Sequence, residues 1–146
     1  MINIHATAIV IGKTGLLFTG PSGWGKSMTA FTCMAEARRQ GLFSALVADD
    51  QVLLSKQDNA VIATCPPAIA GLIELRGTGI IRQNHVAQAA MHIAILPGSP
   101  TGENRLPEEG ETAVLAEGCE LPVLRLLPNL SLPLAVLMAK APEIGS

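Results

Sequence analysis

The sequence predicts an α/β phosphate-loop domain, rich in strands, with a mixed sheet and few helices. Three observations lead there. First, Gly20-Pro21-Ser22-Gly23-Trp24-Gly25-Lys26-Ser27 fits G-x-x-x-x-G-K-[ST] without a mismatch. Second, that octapeptide follows an apolar run at 15–19 and precedes a helical pattern over 28–40. A phosphate loop works only as such a turn between a strand and a helix N-terminus. Third, short apolar runs bounded by turn residues recur along the chain, whereas only two segments read as helices. That is more strand-rich than an ordinary doubly wound sheet.

In chain order, residues 4–11 alternate loosely as a strand, and Gly12-Lys13-Thr14-Gly15 turns it into the next. This is a hairpin, so the sheet is at least partly antiparallel. The helix after the loop runs through Thr29-Ala30-Phe31 and Met34-Ala35 to Arg38, with Gly41 as its stop. Residues 44–48 read as a buried strand ending at Asp49-Asp50. Residues 51–55 and 60–64 are short strands around Lys56-Gln57-Asp58-Asn59. Cys65-Pro66-Pro67 starts a loop, and 69–75 lead into Arg76-Gly77-Thr78-Gly79. Further strands are expected at 91–96, 113–115 and 122–127, a loop at 97–110 and a closing helix at 132–140. With no internal repeat or linker, the chain reads as one domain, 1–146.

Composition narrows the function classes. Hydrophobic residues make up 49% and charged residues 15%, which suits a well-buried enzyme domain over a disordered or coiled-coil chain. A net charge of −2, a single adjacent basic pair at Arg38-Arg39 and 3% aromatics with no tyrosine disfavour nucleic-acid binding. No stretch reads as a membrane span: prolines and polar residues interrupt 83–102, and 126–139 is too short. Met1-Ile2-Asn3-Ile4-His5 lacks the basic start of a signal peptide. Cys33, Cys65 and Cys119 are odd in number and far apart, as expected of reduced core thiols in a cytoplasmic protein.

The loop glycines let the backbone wrap a phosphate, with the amides ahead of the helix as donors. Lys26 would reach the terminal phosphates and the Ser27 hydroxyl would hold a magnesium ion. Phosphoryl transfer further needs a group for the acceptor's proton. Leu46-Val47-Ala48-Asp49-Asp50 ends an apolar strand in two acids, and such an acid commonly sits beside the metal. In an extended segment the two would point to opposite faces, so only one faces the phosphate well unless the strand end bends. Glu74 and Arg76 would share a face, Glu74 as a metal ligand and Arg76 to neutralise transferred charge; a surface ion pair beside a turn is the equal alternative. Trp24 either shields bound phosphate or packs on a neighbour. His5, among apolar neighbours, reads from its surroundings as a core or edge histidine, and His85 and His92 as structural.

Together these segments resemble the catalytic domain of HPr kinase/phosphorylase, which acts on a serine of the phosphocarrier protein HPr. The resemblance rests on His5 ahead of the hairpin, the octapeptide 20–27, Leu46-Val47-Ala48-Asp49-Asp50-Gln51-Val52, and Gly71-Leu72-Ile73-Glu74-Leu75-Arg76-Gly77-Thr78-Gly79-Ile80-Ile81. It covers residues 4–82 well and the remainder loosely. It implies a fold shared with phosphoenolpyruvate carboxykinase and a reaction using magnesium with ATP, or pyrophosphate, as donor. Asp50 matches the proton acceptor, Lys26 and His5 active-site positions, and Ser27 and Glu74 magnesium ligands, with Asp49 a further metal candidate. Arg105 matches a catalytic arginine. The family's N-terminal domain is not in this sequence, which is similar to the short form of some proteobacteria, and the family's assembly is a hexamer.

The departures are specific. Met28 stands where the family usually has an acid, and the helix leading to Asp49 is longer. Leu127-Pro128-Asn129-Leu130-Ser131 lacks the arginine of a loop linked to the phosphorylase reaction. The leading expectation is therefore an HPr serine kinase with a weak reverse reaction. A phosphate-loop small-molecule kinase and a nucleotide-sensing module are the alternatives; the paired aspartates argue against the sensor, which needs no acceptor base.

Overall fold

The computed structural model describes every residue, Met1–Ser146. Strand β1 (Ile2–Ile4) precedes the hairpin of β2 (Thr7–Ile11) and β3 (Thr14–Phe18), then helix α1 (Lys26–Arg39) and β4 (Ser44–Asp49). Next come β5 (Val52–Gln57), β6 (Ala60–Thr64) and a second hairpin, β7 (Leu72–Leu75) with β8 (Gly79–Arg82). Strands β9 (Gln88–Met91), β10 (Ile93–Pro97), β11 (Thr112–Ala116) and β12 (Cys119–Leu126) lead to α2 (Pro133–Lys140). Six strands form a mixed sheet in the order β11-β12-β10-β3-β2-β4; β1-β5-β6-β9 form a second sheet, and β7-β8 stand apart.

The pleat of β2 creates two cores. Ile9 and Ile11 join Leu16, Phe18, Leu46 and Ile95 against α1 and α2, while Ala8 joins Leu17, Val47, Ala94 and Leu54 against the second sheet. Period-2 alternation sends successive side chains to opposite faces, so the six-stranded sheet is a middle layer between helices and a smaller sheet. Each fully buried Leu, Ile or Phe contributes roughly 1.5–3 kcal/mol.

Two of the expected strands are each two strands. Residues 4–11 divide at His5-Ala6, where the chain leaves the smaller sheet (β1) for the larger (β2). Residues 91–96 divide at His92, where it makes the same change from β9 to β10. There the His92 N–H donates to the Gly15 carbonyl, and His92 Nδ1 accepts the Gly15 N–H, both at 2.9 Å. A Cβ on Gly15 would lie 2.0 Å from the Ala90 carbonyl oxygen, so glycine is required where the layers touch. Strand β8 and the part of β9 before Met91 were not expected: turn glycines mask the first, and Gln88-Ala89-Ala90 has almost no polar alternation.

Helix α1 ends as expected at Gly41, whose φ is +76°. Leu42 N–H bonds the Ala37 carbonyl and Gly41 N–H that of Arg38, the paired closure in which glycine is favoured. Helix α2 has no side-chain cap from its own chain segment. Instead, buried Glu36 of α1 accepts the Leu134 and Ala135 N–H groups at 2.7 and 3.1 Å. The three cysteines are free and buried, as expected, and burial pushes the Cys33 and Cys65 thiols up.

The Glu36 contact joins residues 98 and 99 positions apart, and losing a buried charged acceptor costs about 1–3 kcal/mol. Glu36→Ala is expected to lower the unfolding free energy by about that much and to speed amide exchange at Leu134 and Ala135. Urea titration with hydrogen exchange checks both; unchanged exchange there would refute the capping role.

Candidate active site

Strand directions gather the site at one end of the middle sheet. Strand β2 is antiparallel to both β3 and β4, so the start of β2 meets the ends of β3 and β4: Thr7 pairs with Phe18 on one side and Asp49 on the other. Ligands of open α/β sheets sit at such strand ends. The β2–β4 ladder slips by one residue, since Ala8 pairs with Ala48 but Ile9 with Leu46. Val47 is the extra residue of this bulge, and it re-aims the strand end. Without it Asp49 would be out of phase with Leu46 and face the smaller sheet; with it, Asp49 faces the phosphate loop.

The loop itself follows β3. Gly20, Gly23 and Gly25 have φ of +113°, +86° and +97°, which glycine alone adopts without strain. Gly25 is the N-cap of α1, which begins at Lys26 and not at Met28 because the loop is its cap. No side chain caps that first turn and it contains no acid. Its free amides and the positive end of the helix dipole suit an anion. Lys26 Nζ lies 3.2 Å from the Pro21 carbonyl oxygen. Burial lowers its pKa, against the opposing pull of Asp50 and Asp49.

Ser22, Gly23, Gly25, Lys26 and Ser27 line the resulting cleft of about 610 Å³, whereas Gly20, Pro21 and Trp24 do not. Trp24 resolves to packing: it is buried in the helix-side core, its Nε1 donates to the Thr19 carbonyl at 2.8 Å, and its ring underlies Gly20. Its side chain braces the loop from below.

The two aspartates separate as the pleat requires. Buried Asp49 accepts the Ser27 hydroxyl on Oδ1 at 2.6 Å, the Thr7 hydroxyl on the same oxygen at 2.9 Å, and the Glu74 N–H on Oδ2 at 3.1 Å. Asp50 bends away with φ +72°, and the Gln51 N–H closes back on the Asp49 carbonyl. That is the rare, strained form of γ-turn, of the kind held at functional sites. It brings Asp50 Oδ1 to 2.6 Å from His5 Nε2. Both side chains are more than half exposed, so this contact orients the carboxylate more than it stabilises the fold.

His5, Asp49, Asp50, Glu74 and Arg76 thus share the cleft with the loop, and Glu74 and Arg76 make no ion pair with each other. Arg105 is not among the lining residues. It ends an exposed turn, Glu103–Arg105; Asn104 within that turn and Pro107 beyond it line a separate cavity of about 210 Å³. Arg125 borders that second cavity too, bound on two nitrogens by Glu111 at 2.5 and 3.1 Å. The pairing lowers the Glu111 pKa and raises that of Arg125.

Sequence reasoning did not single out Thr7, whose signal was a lone hydroxyl two residues beyond His5 in an apolar strand. Nor did it find the apolar lining from Met28, Ile69, Leu72 and Ile80.

The donor set near Ser27 fits magnesium. It offers a hydroxyl and a carboxylate, both hard oxygen donors, and magnesium is usually held by one or two carboxylates together with substrate phosphates and water. No three His, Cys, Asp or Glu side chains form a metal cluster, so Glu74 and Asp49 do not build an all-protein cage. No helix is long and apolar enough to cross a membrane.

Comparisons with known proteins point to one family. The family model of the HPr serine kinase C-terminal domain matches residues 1–90. The chain is similar to HPr kinase/phosphorylase of Lacticaseibacillus casei, 38% identical over 80 residues, covering 54% of this chain and 23% of that protein. It is similar also to HPr kinase/phosphorylase 1 of Oceanobacillus iheyensis, 40% identical over 79 residues, covering 53% and 24%. The chain thus matches about a quarter of the length of these curated relatives. The solved Hpr(Ser) kinase/phosphatase from Coxiella burnetii superposes with a TM-score of 0.75 at 26% identity, covering 99% of this chain and 97% of that one. On the phosphate loop, the paired aspartates and the match over residues 1–90, the chain belongs to the HPr serine kinase C-terminal domain family.

Proposed function

We propose that the chain is a magnesium- and ATP-dependent protein-serine kinase acting on HPr or an HPr-like phosphocarrier, and so regulating carbohydrate metabolism. The reading takes residues 1–146 as one catalytic domain, cytoplasmic and homo-oligomeric like the family it belongs to. The observation that carries it is the convergence of Lys26 and Ser27 with the Asp50–His5 pair in one cleft.

The loop amides and Lys26 cradle the donor phosphates, and Ser27 with Asp49 would hold magnesium. Magnesium, when bound, supplies charge neutralisation on the transferred phosphoryl group. Asp50 accepts the serine proton, and His5, donating to Asp50, holds that carboxylate in orientation. Arg76 on the hairpin wall offsets the negative charge of transfer. Exposed Met28 and Ile80 at the same cleft suit a protein surface better than a small polar acceptor.

Lys26→Ala is expected to remove most of the stabilisation by ATP and magnesium, which at about 100 times the dissociation constant is roughly 2.7 kcal/mol. Thermal unfolding measures it, and an undiminished shift in the variant would sink the phosphate-loop assignment.

Asp50→Asn should keep ATP binding but lose about 10²- to 10⁴-fold in transfer to HPr, the usual contribution of a general base. Mass spectrometry of HPr after incubation with ATP reads the product. Near-normal transfer by Asp50→Asn beside a dead Asp49→Asn would reassign the base.

Phosphorolysis of phosphoserine would crowd two anions together, and nearby positive charge must offset their repulsion. Arg125 is committed to Glu111, away from the cleft, and Pro128, Asn129 and Leu130 bring no charge. The forward reaction should therefore dominate. Pyrophosphate release from phosphoserine-HPr at saturating phosphate, set against the forward rate, is the measurement. Comparable rates would mean that another group, such as Arg105, supplies the charge.

A further inference from the structure

We infer that Thr7 is a positioning residue for the metal side of the cleft: its hydroxyl fixes Asp49 so that Ser27 presents its lone pairs to a divalent cation. The inference rests on the kinase reading above. Thr7 is 1% exposed, and its hydroxyl donates to Asp49 Oδ1 at 2.9 Å. Ser27 donates to the same oxygen at 2.6 Å. A hydroxyl has one proton and two lone pairs, so a serine whose proton is committed to Asp49 faces the cleft as an acceptor only. That is the state a cation requires.

The carboxylate is held from three sides. Thr7 and Ser27 share Oδ1, while the Glu74 N–H holds Oδ2 at 3.1 Å. Of these, Ser27 is the group to be oriented and Glu74 donates from a hairpin that pairs with no other strand. Thr7 alone acts from a strand paired on both sides, to Phe18 and to Asp49 itself. Groups on paired strands hold a site more precisely than groups on loops. The bulge at Val47 and the Thr7 hydroxyl act together: the first turns Asp49 toward the loop, the second stops its rotation.

Outer-shell hydrogen-bond partners of metal sites typically change metal affinity by about 10- to 100-fold when removed. Thr7→Val, nearly equal in shape, and Thr7→Ala should raise the magnesium concentration for half-maximal ATP-dependent thermal stabilisation by that factor. Thr7→Ser should restore the wild-type value. A merely structural role would lower the ligand-free melting temperature without moving the magnesium midpoint. The inference is overturned if Thr7→Val and Thr7→Ala titrate like wild type, or if Thr7→Ser is as impaired as they are. Either result, beside an intact wild-type response and its loss in Lys26→Ala, leaves the kinase reading standing. A wild-type protein that magnesium and ATP do not stabilise overturns both.

Discussion

The Asp49 carboxylate is the constraint on which the site depends. It joins three separately folded pieces: the start of β2 through Thr7, the phosphate loop through Ser27, and the β7–β8 hairpin through Glu74. A buried carboxylate without donors is costly, so these pieces assemble around it or the fold loses stability. Its placement traces to one inserted residue, Val47, which shifts the pleat by half a period. The neighbouring acid is thereby freed: Asp50 turns out into the cleft and meets His5.

Much of this was legible in the sequence because local rules governed it. The octapeptide, its flanking strand and helix and the Gly41 stop are short-range patterns, and each is present, with the helix opening two residues earlier than read, at Lys26. The strand-rich mixed sheet followed from repeated short apolar runs. The two aspartates were expected to face apart unless the strand end bent, and both halves of that expectation apply: the pleat separates them, and the bend at Asp50 still delivers it to the cleft.

What sequence did not reveal depends on long-range pairing. The bulge is a property of two strands, and no pattern within residues 44–49 announces it. The sheet changes at His5 and His92 likewise appear only when both sheets exist, so each pair of strands read as one. Trp24 could be settled only by its partner, the Thr19 carbonyl beneath the loop. Glu36 was not singled out in the sequence, since its partners lie almost a hundred positions away at the start of another helix. The resemblance carried Arg105, but the loop that bears it runs past a different cavity.

The first turn of α1 has neither a side-chain cap nor an acid, with Met28 where a carboxylate would offset the helix dipole. Its opening peptide groups therefore lack the compensation that most helices draw from their own chain. An incoming phosphate completes the helix as a missing residue would. Order in the loop and occupancy by an anion become two descriptions of one equilibrium, and by thermodynamic linkage whatever tightens the helix start also tightens the grip on phosphate.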